Sequence, residues 1–208
     1  DAIDKFESLD ARYPFGDTAE KAQLYAIYAY FKSGNYAVAL AATERYIHLH
    51  PDSTRVDYAY FMKGVLNYEQ NQGVFERYFS FSDLTERDLT AAKQSFLDFK
   101  VLVMSYPDSA YTMAAIEYMA YLRNLMADQE VAIAQYYYDR KAYVASVNRA
   151  NEVILHYQGA PAMTDALLVA AQAYDALGLD DLTALYYEVL ALNFPDSNQV
   201  TQLSDMDL

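Results

Sequence analysis

Histidine side chains are the first candidates for chemistry in this sequence. The chain has three of them, His48, His50 and His156, and the two neighbouring ones point to different faces of a helix end. They build neither a zinc ligand pair nor a catalytic triad. We therefore interpret them as surface or helix-end histidines that lie near a helix C-terminal dipole.

Carboxylates offer the second possible chemistry, because Asp83, Glu86 and Asp88 cluster in a manner that could suit calcium. The Asp-x-Asx-x-Asx-Gly spacing of a calcium loop is absent, so a solvated charged loop is the preferred interpretation. The sequence has no cysteine, glycine-rich phosphate loop, nucleophile elbow or His-Glu-x-x-His motif. We predict that the protein is not an enzyme and uses no metal or cofactor.

Composition limits the possible partners. The chain has 208 residues, 54% of them hydrophobic, and its 29 acidic and 15 basic side chains give a formal charge of −14. A surface of this sign repels phosphate backbones, which excludes nucleic acid as a partner. The apolar stretches are far shorter than the roughly 20 residues that span a bilayer. Membrane association would need an anchor outside these residues.

A repeated stop signal shows how the helices are arranged. An aromatic residue or histidine followed by proline recurs at Tyr13-Pro14-Phe15-Gly16, His50-Pro51-Asp52-Ser53, Tyr106-Pro107-Asp108-Ser109 and Phe194-Pro195-Asp196-Ser197, with a degenerate copy at 157–161. The marks are 37, 56, 51 and 37 residues apart. Proline ends a helix because it lacks an N–H group, and the Asp-Ser that follows can cap the next helix.

These signals predict an all-α, tetratricopeptide-repeat solenoid of stacked antiparallel helix hairpins, with about five repeats and the first truncated. The expected helices are 1–12, 18–33, 36–49, 53–71, 89–105, 109–138, 141–156, 162–177 and 180–193. The chain is expected to start inside helix B of the first repeat. The 56-residue spacing predicts an inserted loop at 71–88, and the 51-residue spacing predicts one long helix.

The 22 tyrosines are the most abundant candidates for protein contacts. Those at helical spacing, such as Tyr25 with Tyr28, are expected to pack between helices. Tyr78, Phe79 and Phe81 lie in the predicted loop, where no repeat partner is available to bury them. They form either a partner surface or a loop that folds back on the repeats.

Two sequence blocks are more specific than a repeat pattern. They are Leu9-Asp10-Ala11-Arg12-Tyr13-Pro14-Phe15-Gly16 and Val144-Ala145-Ser146-Val147-Asn148-Arg149. Together with the blocks between them, they make the chain resemble the BamD family of lipoproteins, which belongs to the machinery that assembles outer-membrane β-barrels. The resemblance covers nearly the whole chain.

The resemblance implies a protein at the periplasmic face of a Gram-negative outer membrane, held by an N-terminal lipid anchor that is absent from this chain. In one continuous solenoid, residues 108–208 would dock on a periplasmic domain of BamA, with Arg149 pairing with a carboxylate. Residues 1–107 would recognise unfolded outer-membrane proteins. Other Bam lipoproteins are further possible partners.

Two sets of side chains are candidates for these contacts. Gln23, Tyr30 and Asn67 could line a substrate groove between A helices, and Asp83 and Arg87 could act with the loop aromatics at an interface. The alternative hypothesis is a soluble repeat adaptor that binds an unrelated protein or peptide. A signal peptide ending in a small-residue motif before cysteine would distinguish the lipoprotein from the adaptor.

Overall fold

The computed structural model describes residues 5, 6, 8, 12, 16–78 and 88–200, and the side chains of these ranges outside 71–78. All regular structure in this part of the chain is helical, as predicted. Eight helices longer than one turn are α1 (Asp17–Lys32), α2 (Tyr36–Leu49), α3 (Val56–Tyr78), α4 (Thr90–Ser105), α5 (Thr112–Asp139), α6 (Tyr143–His156), α7 (Met163–Ala176) and α8 (Asp180–Asn193).

A first compact unit contains the described residues up to Leu122, so it includes α1 to α4 and the start of α5. Its helices pack on their sequence neighbours, α1 on α2, α2 on α3 and α3 on α4. Ile27, Tyr46 and Leu66 lie in one buried cluster, and Phe99 with Leu102 lies in a second. This packing of consecutive hairpins is tetratricopeptide-like.

A second compact unit begins at Arg123 and contains the rest of α5 with α6, α7 and α8. Helix α7 packs on both α6 and α8. Small side chains dominate the core of this unit: Ala127, Ala134, Ala150, Ala160, Ala162, Ala166 and Ala170 are buried there. Alanine at a helix contact lets two backbones approach closely, which favours tight hairpins.

The serine of the Pro-Asp-Ser turn does more than cap a helix. Ser53 Oγ donates to Glu20 Oε2 of α1 at 2.8 Å and accepts from the Arg55 N–H at 3.2 Å. Ser109 Oγ likewise donates to Asp57 Oδ2 of α3 at 2.6 Å and accepts from the Tyr111 N–H. Each turn is therefore tied to a carboxylate on the A helix of the preceding hairpin.

The degenerate turn at 157–161 has no Asp-Ser pair and is held by arginine instead. Arg123 donates from Nη1 to the Gln158 carbonyl at 3.3 Å and from Nη2 to the Gly159 carbonyl at 3.0 Å. Asn124 Oδ1 accepts from Nε and Nη2 of the same guanidinium, which fixes its orientation. Backbone carbonyls thus replace the carboxylate–serine bond found at Ser53 and Ser109.

The expected helix boundaries are confirmed to within a few residues except around the predicted insertion. Helix α3 continues to Tyr78, so the loop predicted to start at Asn71 is wrong over its first residues. Gly73 lowers helix stability by only about 1 kcal/mol and keeps its N–H donor, so it need not end a helix. Several predicted features lie outside what the structure describes: Phe79, Phe81, Asp83 and Arg87, the Tyr78 side chain and most of the predicted helix 1–12.

One buried hydroxyl is a local weakness of the second unit. Ser146 is fully buried, and its Oγ has no hydrogen-bond partner among the described residues. Replacing Ser146 by alanine is expected to raise the free energy of unfolding by about 1 kcal/mol, because the desolvated hydroxyl is removed. Ser95→Ala is the matched control, since Ser95 is also buried but donates to the Gly64 carbonyl at 2.8 Å. In urea denaturation, the midpoint of Ser146→Ala should rise above that of the wild type, and the midpoint of Ser95→Ala should fall below it.

Candidate partner-binding surfaces

Arg149 lies on α6 and forms an ion pair across the second unit. Its Nη1 donates to Glu130 Oε2 of α5 at 3.0 Å. The Arg149 side chain is 45% exposed, whereas the Glu130 side chain is only 10% exposed. Glu130 thus holds one edge of the guanidinium from within the fold, while much of Arg149 stays accessible.

The outer face of α6 combines polar and apolar groups. Val144 and Leu155 are 62% and 65% exposed, and helical periodicity places them on one line with Asn148. Glu152 is exposed beside this line, and Arg149 lies beyond Glu152, at the opposite edge of the exposed face and about 100° around the helix from Asn148. Large exposed apolar side chains on the same helix as a partly held arginine are typical of a protein interface.

The predicted groove residues of the first unit all make contacts within the fold. Gln23 Oε1 hydrogen-bonds His50 Nε2 at 3.0 Å, and Asn67 Nδ2 donates to Asp98 Oδ2 at 2.6 Å. Tyr30 is partly buried against the first core cluster. These residues therefore contribute to packing between helices, and their part in a groove stays a prediction.

Aromatic rings on the A helices of the first unit form a surface that the sequence analysis did not foresee. Tyr25 is 58% exposed although its ring stacks on Phe6 at a centroid distance of 5.7 Å, and Tyr28 is also exposed, so the expectation that this pair packs between helices is met only in part. Other rings of the A helices, with Tyr111 in the turn just before α5, contact one another in the pairs Tyr58–Tyr111, Phe61–Tyr111, Phe61–Tyr118, Tyr68–Tyr118 and Tyr68–Tyr121. Helical spacing alone could not separate the buried rings from the exposed ones.

A comparison with protein families identifies the group to which this chain belongs. The model of the YfiO family, described as outer membrane lipoprotein, matches residues 1–190. The chain belongs to the YfiO family. The family resemblance stated from the two sequence blocks is therefore confirmed.

Individual relatives agree with the assignment to YfiO. A Vibrio cholerae protein is 36% identical over 192 residues, which are 92% of this chain and 79% of the relative. A Neisseria meningitidis protein is 34% identical over 200 residues, 96% of this chain and 74% of the relative. Both are named outer membrane protein assembly factor BamD. These names describe assembly factors and no catalytic activity.

The family description associates this YfiO member with the outer membrane. None of the helices in the described ranges has the length and apolar character that a bilayer span requires. Among the same residues, no group of three or more histidine, aspartate and glutamate side chains is arranged to hold a metal ion.

Tyr58 provides a pH-dependent test of the aromatic surface in this YfiO member. Burial, followed by the nearby Tyr111 and Tyr28, raises the pKa of Tyr58 from 10.0 to about 12. Because the folded state holds this proton more tightly, the associated stability is complete below pH 10.0 and is lost as pH rises through about 12. Unfolding free energies measured across this range should fall more for the wild type than for Tyr58→Phe. If the unfolding free energies of the wild type and Tyr58→Phe fell equally across this range, the raised pKa of Tyr58 would be contradicted.

Proposed function

We propose that this YfiO-family protein is an outer-membrane protein assembly factor, a non-catalytic scaffold that binds the barrel-assembly subunit BamA and recognises unfolded outer-membrane proteins. The observation that carries the proposal is the match to relatives named BamD over more than nine-tenths of the chain. The two surfaces described above supply a physical basis for each contact.

The docking contact is assigned to α6. A guanidinium has five N–H donors, and the pair with Glu130 uses one of its nitrogens, Nη1. The accessible part of Arg149 can therefore receive a carboxylate of the BamA domain in a charge-assisted hydrogen bond. Val144 and Leu155, at the other edge of the exposed face of α6, would bury apolar area against the same domain, because both are largely exposed in the free chain.

The substrate contact is assigned to the aromatic surface of the first unit. Tyr25, Tyr28 and Tyr121 are exposed, and tyrosine offers rigid contact area together with a hydroxyl. An extended segment of an unfolded outer-membrane protein could place its aromatic side chains on these rings. Gln23, Tyr30 and Asn67 would act there by shaping the supporting helices.

The scaffold would be held at the periplasmic face of the outer membrane by an N-terminal lipid anchor. With a formal charge of −14, the chain has no overall electrostatic attraction to anionic lipid. The anchor would therefore determine membrane attachment, and protein contacts would determine orientation. Other Bam lipoproteins could occupy surfaces that BamA leaves open.

The proposal is tested by purifying the full-length protein from outer membranes and identifying what accompanies it. We expect BamA, and after brief crosslinking also unfolded outer-membrane proteins. Leu155→Ser should reduce the recovery of BamA, whereas Leu97→Ser, at an exposed leucine of α4, should not. A protein recovered without BamA, together with an unrelated partner, would support the soluble adaptor instead.

A further inference from the structure

The turn between α5 and α6 contains a lysine in a conformation that favours glycine. Lys141 has φ 61°, and it is the non-glycine residue with positive φ among the residues described. The corresponding turns between α1 and α2 and between α7 and α8 contain Gly34 at φ 76° and Gly178 at φ 70°. The three hairpins thus adopt one turn, and one of them does so with a side chain that strains it.

Backbone hydrogen bonds show why this turn needs a left-handed residue. The Lys141 N–H donates to the Tyr138 carbonyl at 2.8 Å, and the next N–H, from Ala142, donates to the Tyr137 carbonyl at 2.9 Å. Gly34 and Gly178 are held by the same pair of bonds in their own turns. Glycine would form this turn without strain, so the lysine is not required for folding.

The residues beside Lys141 make the turn cationic and aromatic. The Arg140 guanidinium carbon lies 4.2 Å from the centre of the exposed Tyr136 ring. Neither Arg140 nor Lys141 forms an ion pair with another described residue, whereas Lys21, Lys63 and Arg149 do. The turn therefore places two adjacent cations without an ion-pair partner among the described residues on a chain with a formal charge of −14.

We propose that Arg140 and Lys141, with Tyr136 as a platform, receive a carboxylate of an acidic segment of the BamA-like partner. This inference rests on the proposed function. Stacking on Tyr136 limits the motion of the guanidinium and leaves its edge free for two parallel hydrogen bonds, a geometry that suits a carboxylate. Lys141 adds positive charge at the cost of backbone strain, and strained residues cluster at binding sites.

The position of the turn is compatible with the same partner. Helix α6 begins at Tyr143, and Arg149 follows six residues later, about 9 Å along the helix axis. Exposed Val144 lies between the turn and Arg149. A single domain docked on α6 can therefore contact Arg149, the apolar side chains and the cationic turn together.

The test uses the purified periplasmic region of BamA and the folded chain, with association rates measured by stopped flow at low and high salt. Lys141→Gly should raise the urea midpoint of unfolding because the strain is relieved, yet it should slow association about threefold at low salt. Arg140→Gln should have a similar kinetic effect and should weaken the salt dependence of the association rate. Lys100→Gln, at an exposed lysine of α4, is the matched control.

Each outcome either supports or contradicts the carboxylate site at Arg140 and Lys141. A more stable Lys141→Gly variant that associates more slowly, with a smaller salt dependence, supports the site. Rates and salt dependence equal to those of the Lys100→Gln control would overturn it while leaving docking through Arg149 intact. If the wild type and all variants fail to bind the BamA region, the proposed function fails, and the cationic turn loses its stated partner.

Discussion

Replacing Gly64 by alanine is expected to destabilise the first unit, although the same change in an exposed helix would stabilise it. A Cβ atom at this position would lie 2.6 Å from Cε1 and 2.7 Å from Cδ1 of Phe99, a fully buried ring. Alanine gains about 1 kcal/mol of helix propensity, but overpacking a core costs about 1–3 kcal/mol and often more when an aromatic ring must move. The cost of overpacking should exceed the gain in helix propensity, so the variant should be less stable than the wild type.

The packing around Gly64 explains why the ring cannot simply give way. Ser95 Oγ of α4 donates to the Gly64 carbonyl at 2.8 Å, which ties α4 to α3 beside the glycine. Phe99 follows one turn later and stacks on Tyr118 at a centroid distance of 4.9 Å. A shift of Phe99 would therefore disturb a hydrogen bond on one side and an aromatic pair on the other.

Urea denaturation of the wild type, Gly64→Ala, Phe99→Leu and the double variant measures this effect. Gly64→Ala should lower the free energy of unfolding by about 2 kcal/mol net, with little change in the denaturant slope. In a Phe99→Leu background the same change should cost less, because leucine leaves room for the new methyl group. Equal costs in both backgrounds would show that contact with Phe99 is not the cause, since independent sites add.

The sequence predicts the helices well because their ends depend on local chemistry. Proline at positions 51, 107 and 195 ends helices in both the expectation and the structure, and glycines 34 and 178 mark the turns inside hairpins. Gly73 does not end helix α3, because glycine weakens a helix without removing a hydrogen-bond donor. The long helix α5 was predictable because residues 109–141 contain neither glycine nor proline.

The candidate surfaces were less predictable because they depend on contacts between distant residues. Glu130 precedes Arg149 by 19 residues on another helix, and no spacing rule connects them. The exposure of Tyr25 depends on which face of α1 its neighbours cover. Lys141 was visible in the sequence, but only the match of its turn to those of Gly34 and Gly178 shows that it is strained.

The largest effect on the second unit is expected from reversing the charge of Arg149. Arg149→Glu would place a second carboxylate beside Glu130, whose side chain is only 10% exposed. Breaking a buried ion pair costs about 3–5 kcal/mol, and we expect about 3 kcal/mol here because the arginine is itself half exposed. Loss of the BamA complex by this variant could therefore follow from unfolding as well as from a lost contact.

A double variant that removes both charges of the Arg149–Glu130 pair distinguishes an effect on folding from an effect on binding. In the double variant Glu130→Gln with Arg149→Gln, two amides can keep a hydrogen bond, and the free energy of unfolding should stay within about 1 kcal/mol of the wild type. Binding of the BamA domain should still weaken by about 2–5 kcal/mol, because the partner's carboxylate is left without its cation. If the folded double variant bound like the wild type, Arg149 would be a structural residue only. If Arg149→Glu were as stable as the wild type, Glu130 would not depend on Arg149, and binding loss in the single variant would then measure the contact directly.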